Sequence, residues 1–373
     1  NNQLTSAGAT LTMENAVAAL PFLIVNGNVT LGSSFRTQGA QTYNGNVVLA
    51  YGDDTELGSL RLTTVDSNIT FNGTLTADSN NKNSGINKRS LWIEAGQGTV
   101  TFNGNVGETA ADDLSITTTH DIYNLNVAAQ TIRVNADITT LEEQKYRGAV
   151  IVGDNGTNGL IRTFLSVDPR IEFVGTVDDR DANTHSLVVK VITYNTAIPI
   201  LIFNKAIGGT TPFFALTAIV GQHAGLKVGD VSIDPLQQVG ELTIGGSVST
   251  MKDQNYQGDI IHLGSVGSTE QLTFTSKNGK INFLVGQGVR GEPGTKVMFK
   301  YNTSSALSSE SMRALKAAGL SVVFPVFSYQ DASFLTKQIG SARTSVLAPA
   351  GTRPTVIVGD AVVKECDKAK DCQ

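Results

Sequence analysis

One short motif occurs three times in the chain and constrains its fold more than any other feature. Each copy reads Gln-x-Tyr-x-Gly and precedes a short aliphatic run; the copies occupy residues 41–45, 144–148 and 254–258. The intervals between their tyrosines are 103 and 110 residues. Self-similarity at long intervals indicates a repeat architecture, in which one structural unit recurs along the chain.

The repeat continues beyond the motif. A phenylalanine in a strand-like segment follows each tyrosine after 27 or 28 residues, and two copies share a further phenylalanine 101 residues apart. We interpret residues 21–127, 128–239 and 240–300 as three long units, each built of smaller units of roughly 20–30 residues. The repeat-defining residues are Tyr43, Gly45, Phe71, Phe102, Tyr146, Gly148, Phe173, Phe203, Tyr256, Gly258 and Phe283.

The smaller unit is a short strand that ends at a sharp corner. Its strands are rich in Val, Ile, Thr and Phe, and the corners carry Asn-Gly or Gly-Gly, which tolerate positive φ. One such unit cannot bury its apolar face alone, but stacked units cover one another. Residues 1–300 therefore predict an all-β parallel β-solenoid, with an array of β-sandwiches as the alternative. Four asparagines at equivalent corners predict a ladder of side-chain amides: Asn26, Asn44, Asn72 and Asn103.

Composition agrees with many strands and excludes several functions. The 373 residues include 38 Gly against 9 Pro, with 40% hydrophobic and only 16% charged residues. This profile favours strands joined by tight turns over helical bundles. A net charge of −5 without a Lys/Arg block argues against nucleic-acid binding and against an anionic membrane surface. No apolar run reaches the ~20 residues that a transmembrane helix needs.

The last part of the chain departs from the repeat. Residues 308–319 begin with serines and end at a glycine, which predicts one short helix. Three of its side chains are expected to face inward: Met312, Leu315 and Ala318. Residues 321–329 and 354–365 have the composition of strands. We expect residues 301–346 to form a small cap over the end of the solenoid, with a dedicated binding head as the alternative.

The two cysteines of the chain, Cys366 and Cys372, lie close together in the tail, residues 347–373. Their spacing matches no metal-ligand pattern, and no histidine lies near them in sequence. If they were oxidised, the loop would stabilise the chain only locally, by roughly 2–2.5 kcal/mol. A terminal hook in an oxidising compartment is the favoured interpretation, and two free thiols are the alternative.

One stretch concentrates ionisable side chains. The cluster contains Asp178, Asp179, Asp181 and His185. Carboxylates grouped on one face are typical of β-helix enzymes that cleave polysaccharides. The spacing also matches the start of a calcium loop, but Thr184 stands where that loop requires glycine. We therefore predict a solvated turn, with no metal, no cofactor and no catalytic residue.

Several corner sequences resemble a known family. Residues 37–49, 69–75 and 98–107, which include TYNGNVV, ITFNGTL and TFNGNVG, are similar to repeats of filamentous-haemagglutinin-like exoproteins of the two-partner secretion pathway. The resemblance implies a right-handed parallel β-helix that a dedicated outer-membrane β-barrel transporter exports. The family's Asn-Pro-Asn secretion signals have no counterpart here, which suggests a C-terminal portion of such a protein.

The tail adds to the resemblance. High-molecular-weight adhesins of this family end in a cysteine pair, so the resemblance implies that Cys366 and Cys372 form a disulfide loop that lodges in the transporter. We thus expect a secreted structural adhesin, retained at the bacterial outer membrane, that binds a host receptor or an exopolysaccharide. The alternatives are a carbohydrate-active β-helix enzyme and a filament-forming module.

Overall fold

The chain folds as a parallel β-solenoid, as the repeats predict. The computed structural model describes residues 3–4, 11–13, 20–50, 59–78, 89–107, 122–154, 156, 160–167, 169–193, 197–222, 240–264, 271–291, 295–301, 307, 309–318, 321–323, 357–358 and 361–362. Among these residues all strand pairs are parallel except one antiparallel pair in the tail.

The first half of the described chain contains β1 (Gln3–Leu4), β2 (Leu11–Met13), β3 (Leu23–Val25), β4 (Val29–Leu31), β5 (Phe35–Thr37), β6 (Gln41–Tyr43), β7 (Val47–Leu49), β8 (Ser59–Thr64), β9 (Ile69–Phe71), β10 (Leu75–Ala77), β11 (Ser90–Phe102), β12 (Leu125–Val134), β13 (Ile138–Thr140), β14 (Gln144–Val152), β15 (Ile161–Ser166), β16 (Arg170–Phe173) and β17 (Val177–Asp179). The second half contains β18 (Ser186–Thr193), β19 (Ile200–Phe203), β20 (Ala215–Gln222), β21 (Glu241–Ile244), β22 (Val248–Thr250), β23 (Gln254–Leu263), β24 (Gln271–Ser276), β25 (Ile281–Gly291), β26 (Lys296–Tyr301), α1 (Ser309–Ala317), β27 (Ser321–Val323), β28 (Ile357–Val358) and β29 (Ala361–Val362).

The parallel strands stack in three columns, which the chain visits in the order 1, 2, 3 in every rung. Column 1 runs through β5, β8, the starts of β11, β12 and β14, then β16, β19, β21 and the ends of β23 and β25. Column 2 runs from β1 through β3, β6 and β9, the ends of β11, β12 and β14, and β17, and reaches β22, β24, β26 and β27. Column 3 contains β2, β4, β7, β10, β13, β15, β18, β20 and the starts of β23 and β25.

The interior is a single apolar core filled by alternate residues of the strands. Three-residue strands such as β3, β6 and β9 bury their first and last side chains and turn the middle one outward. Aromatic rings of successive rungs stack in parallel inside this core, with centroids 5.1 Å apart for Tyr43 and Phe71 and 5.5 Å apart for Phe71 and Phe102. Stacking of equivalent side chains thus buries each rung between its neighbours.

The copies of the Gln-x-Tyr-x-Gly motif do not lie above one another. Tyr43 belongs to column 2, Tyr146 to column 1 and Tyr256 to column 3. A complete rung contains three strand positions, one in each column. Between one motif tyrosine and the next, the chain advances by four complete rungs minus one strand position. Each copy of the long repeat is therefore rotated by one column relative to the copy before it.

A short helix packs at the C-terminal end of the described solenoid, as predicted. Leu315 of α1 is fully buried and Ala318 packs partly buried against the core, whereas the Met312 side chain lies outside the described residues. The Ser311 hydroxyl oxygen accepts the backbone N–H of Phe283 in β25 at 2.8 Å. A side chain of the helix thus accepts a backbone N–H at the end of column 3, a group that would otherwise be free to pair with a further strand.

The segment after α1 is described only in part. Within residues 301–346, β27 pairs with β26 and so continues column 2 past the helix. The strand-like tail contains β28 and β29, which form an antiparallel hairpin. Cys366 and Cys372 lie outside the described residues.

Candidate functional site

The three Gln-x-Tyr motifs form the same buried hydrogen-bond network. Each tyrosine hydroxyl donates to the side-chain oxygen of the glutamine two residues earlier, at 3.0 Å for Tyr43, 2.9 Å for Tyr146 and 3.0 Å for Tyr256. Burial raises the pKa of all three phenols, so they remain neutral donors. The motif therefore serves the interior of the solenoid.

A threonine four residues before each glutamine completes the network. The glutamine amide donates to its hydroxyl oxygen at 3.1–3.3 Å and to a backbone carbonyl in the following rung at 2.6–3.0 Å. The threonine hydroxyl in turn donates to a backbone carbonyl at 2.5–2.6 Å. We call each set a Thr-Gln-Tyr triad; the threonines are Thr37, Thr140 and Thr250. Sequence reasoning missed them, although their constant spacing before the glutamine was a usable signal.

The motif glycines differ in why they are needed. A methyl group on Gly45 would lie 2.4 Å from the backbone of Gly27. Gly148 has a φ of +154°, and a methyl group there would lie 2.0 Å from the Ala129 carbonyl oxygen. At Gly258 the nearest atom would be 3.5 Å away, which is an ordinary contact. Close backbone approach therefore explains the first two glycines but not the third.

The corners between columns 2 and 3, here called the 2–3 edge, carry the predicted amide ladder. In each step an asparagine amide nitrogen donates to the side-chain oxygen of the asparagine one rung earlier, at 2.7 Å in all four steps. The members are Asn26, Asn44, Asn72, Asn103 and Asn135. The structure confirms the ladder and extends it to Asn135, whose corner has alanine in place of glycine.

Further along the 2–3 edge lies the densest group of ionisable side chains. We call it the ionic cluster; its members are Asp154, Arg162, Asp179, Arg180, Asp181 and His185. His185 is sandwiched between two carboxylates: Nδ1 lies 2.5 Å from Asp179 and Nε2 lies 2.7 Å from Asp154. Asp154 precedes His185 by 31 residues and belongs to the previous rung. The imidazole therefore joins two rungs.

The expectation of a solvated turn is wrong for three of the four residues for which it was made. Asp178 is buried and the side chains of Asp179 and His185 are fully buried, whereas Asp181 is 55% exposed. The reason is local: the second oxygen of Asp179 accepts the backbone N–H groups of Thr184 and His185 at 3.0 and 2.9 Å. These bonds fold the turn back over the carboxylate.

The other charged groups of the cluster are also engaged. Arg180 donates to Asp181 at 2.7 Å and to the backbone carbonyl of Asp154 at 2.7 Å. The hydrogen bond from His185, followed by the Gly156 N–H and the charge of Arg180, holds the pKa of Asp154 below its usual range. Arg162 is fully buried and donates to the Gly153 carbonyl at 2.6 Å.

Asp178 faces away from this arrangement. One of its oxygens accepts the backbone N–H groups of Thr210 and Thr211 in the next rung, at 2.9 and 3.2 Å. All four residues singled out in the sequence are thus placed at the 2–3 edge, but only three share the ionic cluster. The missing partners, Asp154 and Arg162, had no signal in the sequence, because rung register alone brings them close.

The geometry favours a structural clasp over proton-transfer chemistry. A general base needs a free acceptor within hydrogen-bond reach of its substrate. Both nitrogens of His185 contact carboxylates, and the exposed Asp181 is paired with Arg180. No group of three or more His, Cys, Asp or Glu side chains in the described residues is arranged to hold a metal ion.

The segments that resemble two-partner exoproteins are the strands and corners of the ladder. Residues 37–49, 69–75 and 98–107 contain Asn44, Asn72 and Asn103. The resemblance therefore concerns residues that build the solenoid. No helix in the described part of the chain is long and apolar enough to cross a membrane. No protein-family model, curated protein or solved structure matches the chain.

Proposed function

We propose that the chain is the stalk of a secreted structural adhesin, exported by a two-partner outer-membrane transporter and retained at the bacterial cell surface. One observation carries this proposal: the three columns continue from β3 to β26, and the amide ladder and the Thr-Gln-Tyr triads hydrogen-bond successive rungs to each other. Such a stack grows along one axis, by about 4.8 Å per rung. Its length separates an attachment surface from an anchor.

The polar residues of the solenoid support a mechanical role. The triads join successive rungs through buried hydrogen bonds, and the ionic cluster joins two rungs at the edge. These polar groups hydrogen-bond other groups of the solenoid, which supports a structural role for them over a catalytic one. The outward faces of the strands are then available to bind a host receptor or an exopolysaccharide in the biofilm matrix.

We propose that the tail, residues 347–373, retains the protein at the cell surface. Cys366 and Cys372 would close a small disulfide loop in the oxidising environment outside the cytoplasm. A loop of this size constrains only its own residues. The loop is therefore better suited to holding the tail in the transporter than to stabilising the distant rungs.

The test is retention of the protein on the cells that secrete it. Cys366→Ser and Cys372→Ser should each move the protein from the cell surface to the medium, measured by immunoblotting of both fractions. Ala369→Ser lies between the cysteines and keeps both, so this control should remain on the surface. Full retention of the two cysteine variants would contradict the proposal.

A further inference from the structure

The 2–3 edge changes character in its last rungs, where exposed lysines gather. We call this group the lysine edge; its members are Lys252, Lys277, Lys280 and Lys300, all exposed. Asp253 is the one exposed carboxylate within the two stacked turns that carry the first three. Although the chain has a net charge of −5, this part of its surface is therefore positive.

Strand register brings these lysines together. Thr250 pairs with Ser276, and Gln254 pairs with Ile281, so the turn with Lys252 stacks on the turn with Lys277 and Lys280. In the next rung Ser276 pairs with Tyr301, which places Lys300 beside the same corner. The four side chains thus project from three consecutive rungs, which are about 4.8 Å apart.

The backbone beneath the lysines is fixed by hydrogen bonds. Asp253 accepts the backbone N–H of Lys280 at 2.7 Å, and the N–H of Lys277 donates to the Thr250 carbonyl at 3.0 Å. Among the described residues no ion pair joins the four ammonium groups to a carboxylate. In the ionic cluster, by contrast, Arg180 contacts two carboxylates. The lysine charges are therefore available to a partner.

An aromatic ring borders the lysine edge. Phe214 is 40% exposed and lies one rung before Lys252, whose backbone N–H donates to its carbonyl at 2.6 Å. An exposed ring beside cations offers an apolar face for the flat side of a sugar ring together with charge for its acidic groups.

We propose that the lysine edge and Phe214 bind an acidic polysaccharide that lies along the solenoid axis. A row of cations one rung apart complements a linear polyanion with a charge on each sugar. Lysine ammonium groups act as point charges and suit carboxylate or sulfate groups in variable orientations. Single-stranded nucleic acid fits less well, because its binding grooves combine several stacking aromatics with arginine. The inference rests on the proposed adhesin function and names the ligand class.

The experiment is titration of the purified chain with polygalacturonate by isothermal calorimetry at low and high salt, with neutral dextran for comparison. The wild type should bind polygalacturonate, more weakly at high salt, and should not bind dextran. The triple variant Lys252→Glu, Lys277→Glu, Lys280→Glu should lose about tenfold or more in affinity. Phe214→Ala should weaken binding several-fold without changing its salt dependence.

A matched control separates the lysine edge from net charge. Arg133→Glu, Arg147→Glu and Lys205→Glu together make the same charge change at exposed positions elsewhere and should keep affinity within about twofold. Should the reversed lysines disturb folding, seen in the far-ultraviolet circular dichroism, the corresponding Lys→Gln triple variant should show the same loss.

Three results would overturn the proposal: equal losses in the two triple variants, unchanged binding by the lysine variants, or tighter binding of a single-stranded oligonucleotide than of polygalacturonate. Each is independent of the retention test. If Cys366→Ser releases the protein while the lysine variants bind normally, the ligand class is wrong and the anchored stalk stands.

Discussion

The first rungs of the 2–3 edge are lined by neutral amides, whereas the next rungs of the same edge are lined by charged side chains. Gly153 stands at the junction: a methyl group there would lie 2.7 Å from the Asn135 side-chain oxygen and 3.1 Å from Arg180. An amide both donates and accepts, so each asparagine can satisfy the next one without limit. A carboxylate only accepts, so it cannot pass a hydrogen bond on to an identical carboxylate in the next rung, and the ionic cluster does not continue as a ladder.

The two arrangements also differ in what their loss should do. The ladder is largely exposed, and one of its hydrogen bonds contributes on the order of 1 kcal/mol. Asp179 and His185 are fully buried, where an unpaired charge is much more costly. The comparison therefore predicts a large effect in the cluster and a small one in the ladder.

The largest effect is expected for His185→Leu. This change leaves the Asp179 carboxylate buried without its imidazole partner, which should destabilise the surrounding rungs by about 3–5 kcal/mol. The measurement is hydrogen exchange of the Thr184 and residue-185 amides, which donate to Asp179, together with urea unfolding. Asp181→Asn is the control: its exposed side chain predicts a change within about 0.5 kcal/mol. Equal effects of the two variants would contradict a buried clasp.

Sequence reasoning recovered the ladder because its information is local. Asn-Gly corners recur along the chain, and stacking of identical corners follows from the repeat. Asn135 was missed because Ala136 interrupts the pattern, although its side chain continues the ladder. The triad threonines were missed although each stands four residues before its glutamine, because the spacing does not reveal their hydrogen bonds to the glutamine, which also bonds the next rung.

The ionic cluster and the rotation of the repeat could not be predicted from the sequence, for a different reason. Asp154 contacts His185 from the adjacent rung, 31 residues earlier in the chain. Their separation in sequence does not predict this contact, because the number of strands per rung decides which corners stack on one another. The same number decides that Tyr43, Tyr146 and Tyr256 occupy three different columns.

A pair of charge substitutions sharpens the comparison within the ladder. Asn72→Asp removes the donor to Asn44 and sets two oxygens against each other, so it should destabilise the fold by about 1–2 kcal/mol. Asn46 uses its side-chain oxygen only to accept the Thr74 N–H at 3.1 Å, so Asn46→Asp keeps that bond and should be nearly neutral. Thermal unfolding midpoints of the two variants measure the difference. Similar losses in both would mean that added charge, and not the lost donor, governs the edge.

The smallest effect is a pH dependence that only the ionic cluster should show. The pKa of Asp154 is lower in the folded chain than its ordinary value of 3.8, so the folded state binds fewer protons there than the unfolded state. Its contribution is complete above the unfolded pKa and is lost as the pH falls through the folded pKa. The difference in unfolding midpoint between wild type and Asp154→Asn should therefore be constant from pH 7 to about 5 and shrink below about 4. The same difference for Asn72→Ala should not change with pH, because amides do not titrate in this range. A wild-type advantage over Asp154→Asn that stayed constant below about pH 4 would contradict the lowered pKa of Asp154.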